Sequence, residues 1–172
     1  MLTVEVVQVE DINTAAAVNT AIRRLRWKLD GRQPRAGIVL AGIDSDHPLI
    51  LGTLRDAFPT MDIVGCSTAG ELSSDFGFSD ASISIMVIGS DTLTIGVGIG
   101  HDLSRDPVAA TEKAVHMAKS RLGNEERLCL VFPNGLHDSP ETILDTLNRQ
   151  VVPDCMIFGG LSARHWQSRT PT

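Results

Sequence analysis

The densest set of residues able to do chemistry is Gly65-Cys66-Ser67-Thr68-Ala69-Gly70-Glu71, which directly follows the apolar run Met61–Gly65. A thiol, two hydroxyls and a carboxylate stand there among side chains small enough to let a ligand reach backbone N–H and C=O groups. Loops beyond the carboxyl ends of strands are where open α/β sheets bind ligands. The segment is also one residue short of the nucleophile-elbow pattern Gly-x-Ser-x-Gly, with Ala69 at the last position. Ser67, Asp138 and His165 stand in the Ser–Asp–His chain order of that fold. An elbow must lead into a helix packed on its own strand, whereas Glu71–Gly77 has no helical face and ends on a turn signal. Cys66 with His101, His137 or His165 as base is the chemically easier variant, because a thiolate is the stronger nucleophile. A Ser/Cys hydrolase is therefore an alternative reading, and a non-catalytic pocket the favoured one.

Two other groups of residues deserve a chemical test. Gly96-x-Gly98-x-Gly100 precedes a helix but has the wrong spacing for the dinucleotide fingerprint. Glycines at a period of two lie on one face of an extended segment, a pattern that marks close approach by another backbone or by a ligand. The histidines His47, His101, His116, His137 and His165 form no HxxxH or HExxH pair. His116 falls on a polar helical stripe and is expected to be solvated, and His47 stands at a helix start. His101, His137 and His165 fall on loops and are the candidates for a metal or haem ligand. Cys66, Cys129 and Cys155 match no zinc spacing, and Cys129 and Cys155 lie in apolar runs as small buried hydrophobes.

The elements that must position these residues follow from periodicity and punctuation. Leu2–Val9 is predicted as a strand. Asp11 or Asn13 caps a helix to about Asp30, with Val18, Ile22, Leu25 and Leu29 on one face, and Gly31 closes it. Ala36–Ala41 is a strand covered on both faces. Asp46-His47-Pro48 opens a helix to about Phe58, stopped by Pro59, and Met61–Gly65 is a strand. A loop to about Asp80 follows. Ala81–Ile88 and Thr92–Ile99 are then predicted as the two arms of a hairpin turning at Gly89-Ser90-Asp91. Asp106-Pro107 starts a helix to about Leu122, ended by Gly123. Leu128–Phe132 is a strand, Ser139-Pro140-Glu141 starts a helix to about Gln150, and Met156–Phe158 is a last strand before Gly159-Gly160. No internal repeat is legible. The fold class is α/β: a layered mixed β-sheet with flanking helices, its βαβα units interrupted by an antiparallel hairpin.

Composition bounds the function classes. The chain has 172 residues, a net charge of −6 and only 5 Phe, 2 Trp and no Tyr. An acidic chain with few aromatics offers neither phosphate neutralisation nor base stacking, so nucleic acid is not an expected partner. No apolar run approaches the length needed to span a bilayer, and no secretory signal is legible, so a cytoplasmic location is expected.

Ile63-Val64-Gly65-Cys66-Ser67-Thr68-Ala69-Gly70-Glu71-Leu72 resembles the signature of the FIST family (F-box and intracellular signal transduction), in its N-terminal domain. Met156-Ile157-Phe158-Gly159-Gly160-Leu161 resembles that family's second motif, and Asp80–Met86 falls where the family places its alternating strands. The resemblance implies a FIST N-terminal-like sensory domain over residues 1–163, incomplete at its C-terminal end, followed by a polar tail at 164–172. It further implies a bacterial signalling input that binds a small molecule such as an amino acid and acts on a histidine kinase or another signalling module of a two-component system. The expected ligand-binding residues are Cys66, Ser67, Thr68, Gly70, Glu71, Gly159 and Gly160. The alternative that the resemblance carries is a haem-based nitric oxide sensor. With no tyrosine, it would need His101, His137, His165 or Cys66 as axial ligand. An apolar face or sheet edge left open at the C-terminal end would favour a homo-oligomer.

Overall fold

The computed structural model describes residues 2–122, 126–135 and 140–163. Asp138, Ser139, His137, Gly123, His165 and the tail from residue 164 lie outside them. Eight strands and four helices are described: β1 (Leu2–Glu10), α1 (Thr14–Leu29), β2 (Ala36–Gly42), α2 (His47–Ala57), β3 (Asp62–Thr68), β4 (Glu71–Ser73), β5 (Gly77–Ser79), β6 (Ser82–Ser90), α3 (Pro107–Lys119), β7 (Leu128–Val131), α4 (Pro140–Gln150) and β8 (Met156–Gly159). The α/β class and its mixed sheet stand as expected. No helix among the described residues is long and apolar enough to cross a membrane.

Local chemistry starts the helices where expected. The side chains of Asn13, Asp46 and Asp106 accept from the N–H groups of Ala16, Leu49 and Ala109, one turn inside α1, α2 and α3. Each satisfies a donor that a helix start leaves unpaired. Val18, Ile22, Leu25 and Leu29 form the buried face of α1. That face packs on Val7, Val9, Ile83, Ile85 and Val87 of the four-stranded sheet, whose order is β1-β6-β2-β3. A second, smaller core lies between α3, α4 and the parallel pair β7–β8, where Val115, Ile143 and Leu147 meet Cys129, Val131 and Ile157.

Two expectations are corrected. The hairpin that interrupts the βα units is β4–β5, in the stretch read as a loop, with Leu72 facing Phe78. Residues 92–99 form no strand and do not pair with β6. The reason lies in β6 itself: one edge pairs antiparallel with β1, from Leu2 opposite Ser90 to Glu10 opposite Ser82, and the other pairs antiparallel with β2. A strand has two edges, and both are taken. Ser90 Oγ then accepts from the N–H groups of Thr92 and Leu93 (3.1 and 2.9 Å), turning the chain away from the sheet and toward α3.

There the alternating glycines find their use. A Cβ on Gly96, Gly98 or Gly100 would lie 2.1, 1.9 or 2.0 Å from the carbonyl oxygen of Ala118, Ala114 or Ala110. Two residues of extended chain rise about 6.6 Å and four residues of helix about 6.0 Å, so every second residue meets every fourth as the segment runs antiparallel to α3. The close approach inferred from the period-2 glycines is to a backbone, that of α3.

The chain also contains a structural repeat that sequence inspection misses. The unit β1-α1-β2-α2-β3 recurs as segment 92–100, α3, β7, α4 and β8. Asp62 N–H donates to Arg35 C=O as Met156 N–H donates to Arg127 C=O, both at 3.0 Å. Val39 pairs with Gly65 as Val131 pairs with Gly159. In both pairs the glycine has its Cβ position under 2 Å from the opposing carbonyl oxygen. Lys28 and Arg24 of α1 reach the carbonyls of Val6 and Gln8 with the same two-to-four step that joins the glycines to α3.

The second unit is clamped by a buried ion pair. Glu126 Oε1 accepts from Lys119 Nζ (2.8 Å) and from Val152 N–H (3.1 Å), and Lys119 also donates to Gln150 C=O. The Lys119 hydrogen bond outweighs the opposing cost of burial, and the carboxyl is held below its ordinary pKa. A carboxyl lowered in the folded state stabilises it above the unfolded pKa, and that contribution is lost as pH falls through the lowered value. Glu126→Gln is therefore expected to cost about 1–3 kcal/mol at pH 7, and the two proteins should converge in urea midpoint once the pH is well below about 4. An equal gap at pH 7 and pH 3 would contradict the clamp. Gly98→Ala should lower the unfolding free energy, read from urea titration, by about 1–3 kcal/mol through overpacking against α3. Gly52→Ala within α2, where an added Cβ meets nothing within 4 Å, should raise it by about 1 kcal/mol.

Candidate functional site

The first motif begins inside a strand. β3 runs to Thr68, so Cys66, Ser67 and Thr68 are its last residues, opposite Leu40, Ala41 and Gly42 of β2. The chain then turns through Ala69 and Gly70 into β4. Gly70 suits that turn because its φ of +153° is one that L side chains rarely adopt.

Glu71 organises this end of the sheet. The residue is only 3% exposed, and its carboxylate accepts hydrogen bonds from Thr68 Oγ1 and Ser82 Oγ. Gln8 Nε2 donates to Ser82 Oγ (3.0 Å) and to Glu71 C=O (3.4 Å). One buried polar network thus joins β1, β3, β4 and β6. A buried carboxylate is tolerated when both oxygens are satisfied, and the hydroxyls do that here. Gln8 Oε1 is buried with no hydrogen-bond partner among the described residues. Sequence reasoning did not single out Gln8 or Ser82. A glutamine amid the valines of an inward-reading strand was the available signal.

The segment that follows the second motif meets the end of β3. Ala163 N–H donates to Ser67 C=O (2.7 Å), and Ser67 Oγ donates to Ala163 C=O (2.8 Å). Ser162 N–H donates to Pro133 C=O, and Gly135 N–H to Ser162 Oγ, so the extension of β8 spans from β7 to the end of β3. Gly159 is required against Val131, whereas an added Cβ at Gly160 meets nothing within 4 Å. Ala69 and Gly159–Leu161 are exposed.

The expected ligand-binding residues divide accordingly. Ser67 is bonded to Ala163, whereas Gly159 and Gly160 lie against Val131 of β7. The Thr68 hydroxyl and the Glu71 carboxylate are turned inward and bonded to each other. Cys66 is half-buried, and burial pushes its thiol up from its ordinary pKa. Burial does the same to Cys129 and Cys155. The strand continues into a hairpin rather than a helix, and the Ser67 hydroxyl is already donated to a carbonyl, so the geometry of a nucleophile elbow is not present at Ser67. His101 is exposed at the end of segment 92–100, and His116 is exposed on α3. No group of three or more His, Cys, Asp or Glu side chains among the described residues could hold a metal ion. His137, Asp138 and His165 lie outside the described residues.

A cleft of about 610 Å³ opens at the opposite end of the sheet, lined by Thr3, Arg32, Arg35, Thr60, Ser90 and Asp91 among others. None of its residues belongs to either motif. It lies at the amino ends of the parallel strands β2 and β3, the reverse of where open α/β sheets place ligands. The motif junction lies at their carboxyl ends and is the better candidate.

The family model described as the FIST N domain matches residues 5–172. A search of curated proteins finds no match. Among solved structures, the crystal structure of "cyanuic acid hydrolase from A. caulinodans" is similar over 76% of this chain, at 12% identity and a TM-score of 0.40. The chain spans 44% of that protein's length, and a likeness at this level carries no argument.

A thiol raised by burial should react slowly. In a Cys129→Ser/Cys155→Ser background, Cys66 is expected to be alkylated by iodoacetamide about tenfold more slowly at pH 7.5 than a free cysteine. Its rate–pH midpoint should lie above about 8.5. A midpoint below that of free cysteine would reveal an activated thiolate and revive covalent chemistry at this position.

Proposed function

The chain belongs to the FIST N-domain family, a sensory domain family of signal transduction, and on that premise we propose that it is a non-catalytic input domain that binds a small molecule at the junction of its two motifs. The observation that carries this reading is the pair of hydrogen bonds between Ser67 and Ala163. They are a narrow polar connection between two units that each have their own apolar core. A ligand seated on the exposed backbone of Ala69 and Gly159–Leu161 would touch both units. It would shift their relative arrangement by whatever difference in affinity it has for the two arrangements.

In this reading Ser67 and Gly160 face the ligand, while Thr68, Glu71, Ser82 and Gln8 hold the surface rigid beneath it. The change in arrangement is read by a partner signalling module of the histidine-kinase class. Small zwitterions such as amino acids suit a surface whose available groups are backbone N–H and C=O.

Thermal-shift and calorimetric titration of the chain with the proteinogenic amino acids tests the reading. At least one should raise the melting temperature. Ser67→Ala, which removes the hydroxyl bond to Ala163 C=O, should change the affinity for that ligand about threefold to tenfold by loosening the junction. Gly160→Val, placed where the fold leaves open space, should abolish binding without lowering the melting temperature of the free protein. A ligand whose affinity ignores both substitutions binds elsewhere, and the junction is then not the site.

A further inference from the structure

The cleft at the amino ends of β2 and β3 is rich in hydrogen-bond donors. Charge is spread unevenly along the chain. Residues 23–35 carry six of its 15 Lys and Arg residues but one of its 21 Asp and Glu residues. Two of those six, Arg32 and Arg35, line the cleft, and both are exposed. The Arg32 guanidinium is held in place. It donates to the Leu29 carbonyl (2.8 Å), to the Lys28 carbonyl (3.5 Å) and to Thr3 Oγ1 (2.9 Å). These bonds answer the last carbonyls of α1 and leave the remaining guanidinium N–H groups to meet a ligand. Arg35 is fixed through its backbone, its N–H on Ile88 C=O (2.7 Å) and its C=O on Asp62 N–H (3.0 Å). Its side chain enters no hydrogen bond or ion pair among the described residues.

The hydroxyls in the lining have protons to give. Thr3 and Ser90 are each only 8% exposed. Thr3 Oγ1 accepts from Arg32, and Ser90 Oγ accepts from the N–H groups of Thr92 and Leu93. What each hydroxyl has left to offer is its O–H. Thr60 adds a third hydroxyl, and Asp91, whose side chain is not free, is the one acid among the described lining residues. A lining of this kind is complementary to a ligand end made of acceptors, and guanidinium forks match phosphate oxygens in particular.

We infer that this cleft binds a small phosphate monoester, its phosphoryl oxygens taken by Arg32, Arg35 and the hydroxyls of Thr3 and Ser90. A monoester carries about two negative charges at neutral pH, which the two guanidinium groups match. A carboxylate brings one charge and two oxygens, and leaves donors unanswered. The volume of about 610 Å³ falls in the range of small-molecule sites and has room for an organic part beyond the phosphoryl group. Asp91 sets the chemistry of that part: it repels a second anionic group and accepts from hydroxyls, so a neutral sugar or polyol suits it. The net charge of −6 opposes a phosphate polymer. The inference stands apart from the ligand junction, because the cleft is at the other end of the sheet and shares no residue with it.

The test is a titration of the full chain, followed by amide and arginine side-chain NMR, with ribose 5-phosphate, ribose, inorganic phosphate and acetate. Ribose 5-phosphate should saturably shift the amides of Arg32, Arg35 and Gly89–Asp91 and the Arg32 Nε–H. It should bind about tenfold more tightly than inorganic phosphate, with no saturable shift from ribose or acetate. Arg35→Gln, which removes no hydrogen bond described in the fold, should weaken ribose 5-phosphate about tenfold and leave the urea midpoint unchanged. Arg105→Gln, which removes an equal charge beside the start of α3, should leave the affinity within about twofold. No saturable shift with ribose 5-phosphate, or shifts confined to other residues, would overturn the inference. So would equal affinity of the wild type and Arg35→Gln, or acetate binding as tightly as ribose 5-phosphate. Equal affinity for inorganic phosphate and ribose 5-phosphate would reduce the cleft to an ion contact and would overturn it too. An oligothymidylate that shifts the same amides at lower concentration would make the cleft a nucleic-acid surface, with the same consequence.

Discussion

β6 is hydrogen-bonded to β1 along one edge and to β2 along the other, and most of the molecule follows from that double pairing. It closes the four-stranded sheet, places Ile83, Ile85 and Val87 beneath α1, and starts at Ser82, whose hydroxyl joins Gln8 to Glu71. Because both edges of β6 are used, the chain after Ser90 cannot fold back on β6, and it leaves the sheet. The route of residues 92–100 along α3 is a consequence of where β6 sits.

That route is made by glycine. An extended segment can lie directly on a helix backbone only if every residue facing it lacks a side chain, and Gly96, Gly98 and Gly100 meet successive turns of α3. The same device appears where Gly65 and Gly159 pass against Val39 and Val131. Close backbone packing of this kind leaves little apolar area to bury, which is why the second core is small and is reinforced by the Lys119–Glu126 pair and the Val152 amide.

The junction of the two motifs combines a rigid base with an open surface. Thr68, Glu71, Ser82 and Gln8 use their polar groups on one another, so the side chains richest in chemistry are structural. What remains to meet a ligand is mainly backbone, at positions where small residues keep it accessible. This division suits recognition without bond-making: the hydroxyl of Ser67 is held by a carbonyl, and the Cys66 thiol is held protonated by burial.

Much of this was legible in the residues themselves. The caps Asn13, Asp46 and Asp106, the buried stripe of α1, and the terminators Gly31 and Pro59 each depend on neighbours a few positions away, and the structure places them as read. So does the requirement for glycine at 96, 98 and 100, although a period of two says only that something comes close. The identity of that neighbour, the pairing of β6 with β1 instead of with residues 92–99, the inward turn of Glu71 and the bond from Ser67 to Ala163 were not legible, because each depends on residues distant in sequence. The repeat was hidden for a similar reason: Ile63, Gly65 and Ala69 match Ile157, Gly159 and Ala163, but the equivalence lies mostly in which backbone groups bond. Sequence alone determined the elements, since propensity, capping and periodicity act over one or two turns of chain. Tertiary structure decided which edges were filled and which polar groups remained free, because a hydrogen-bonding edge can be used only once and its partner is settled by the whole fold.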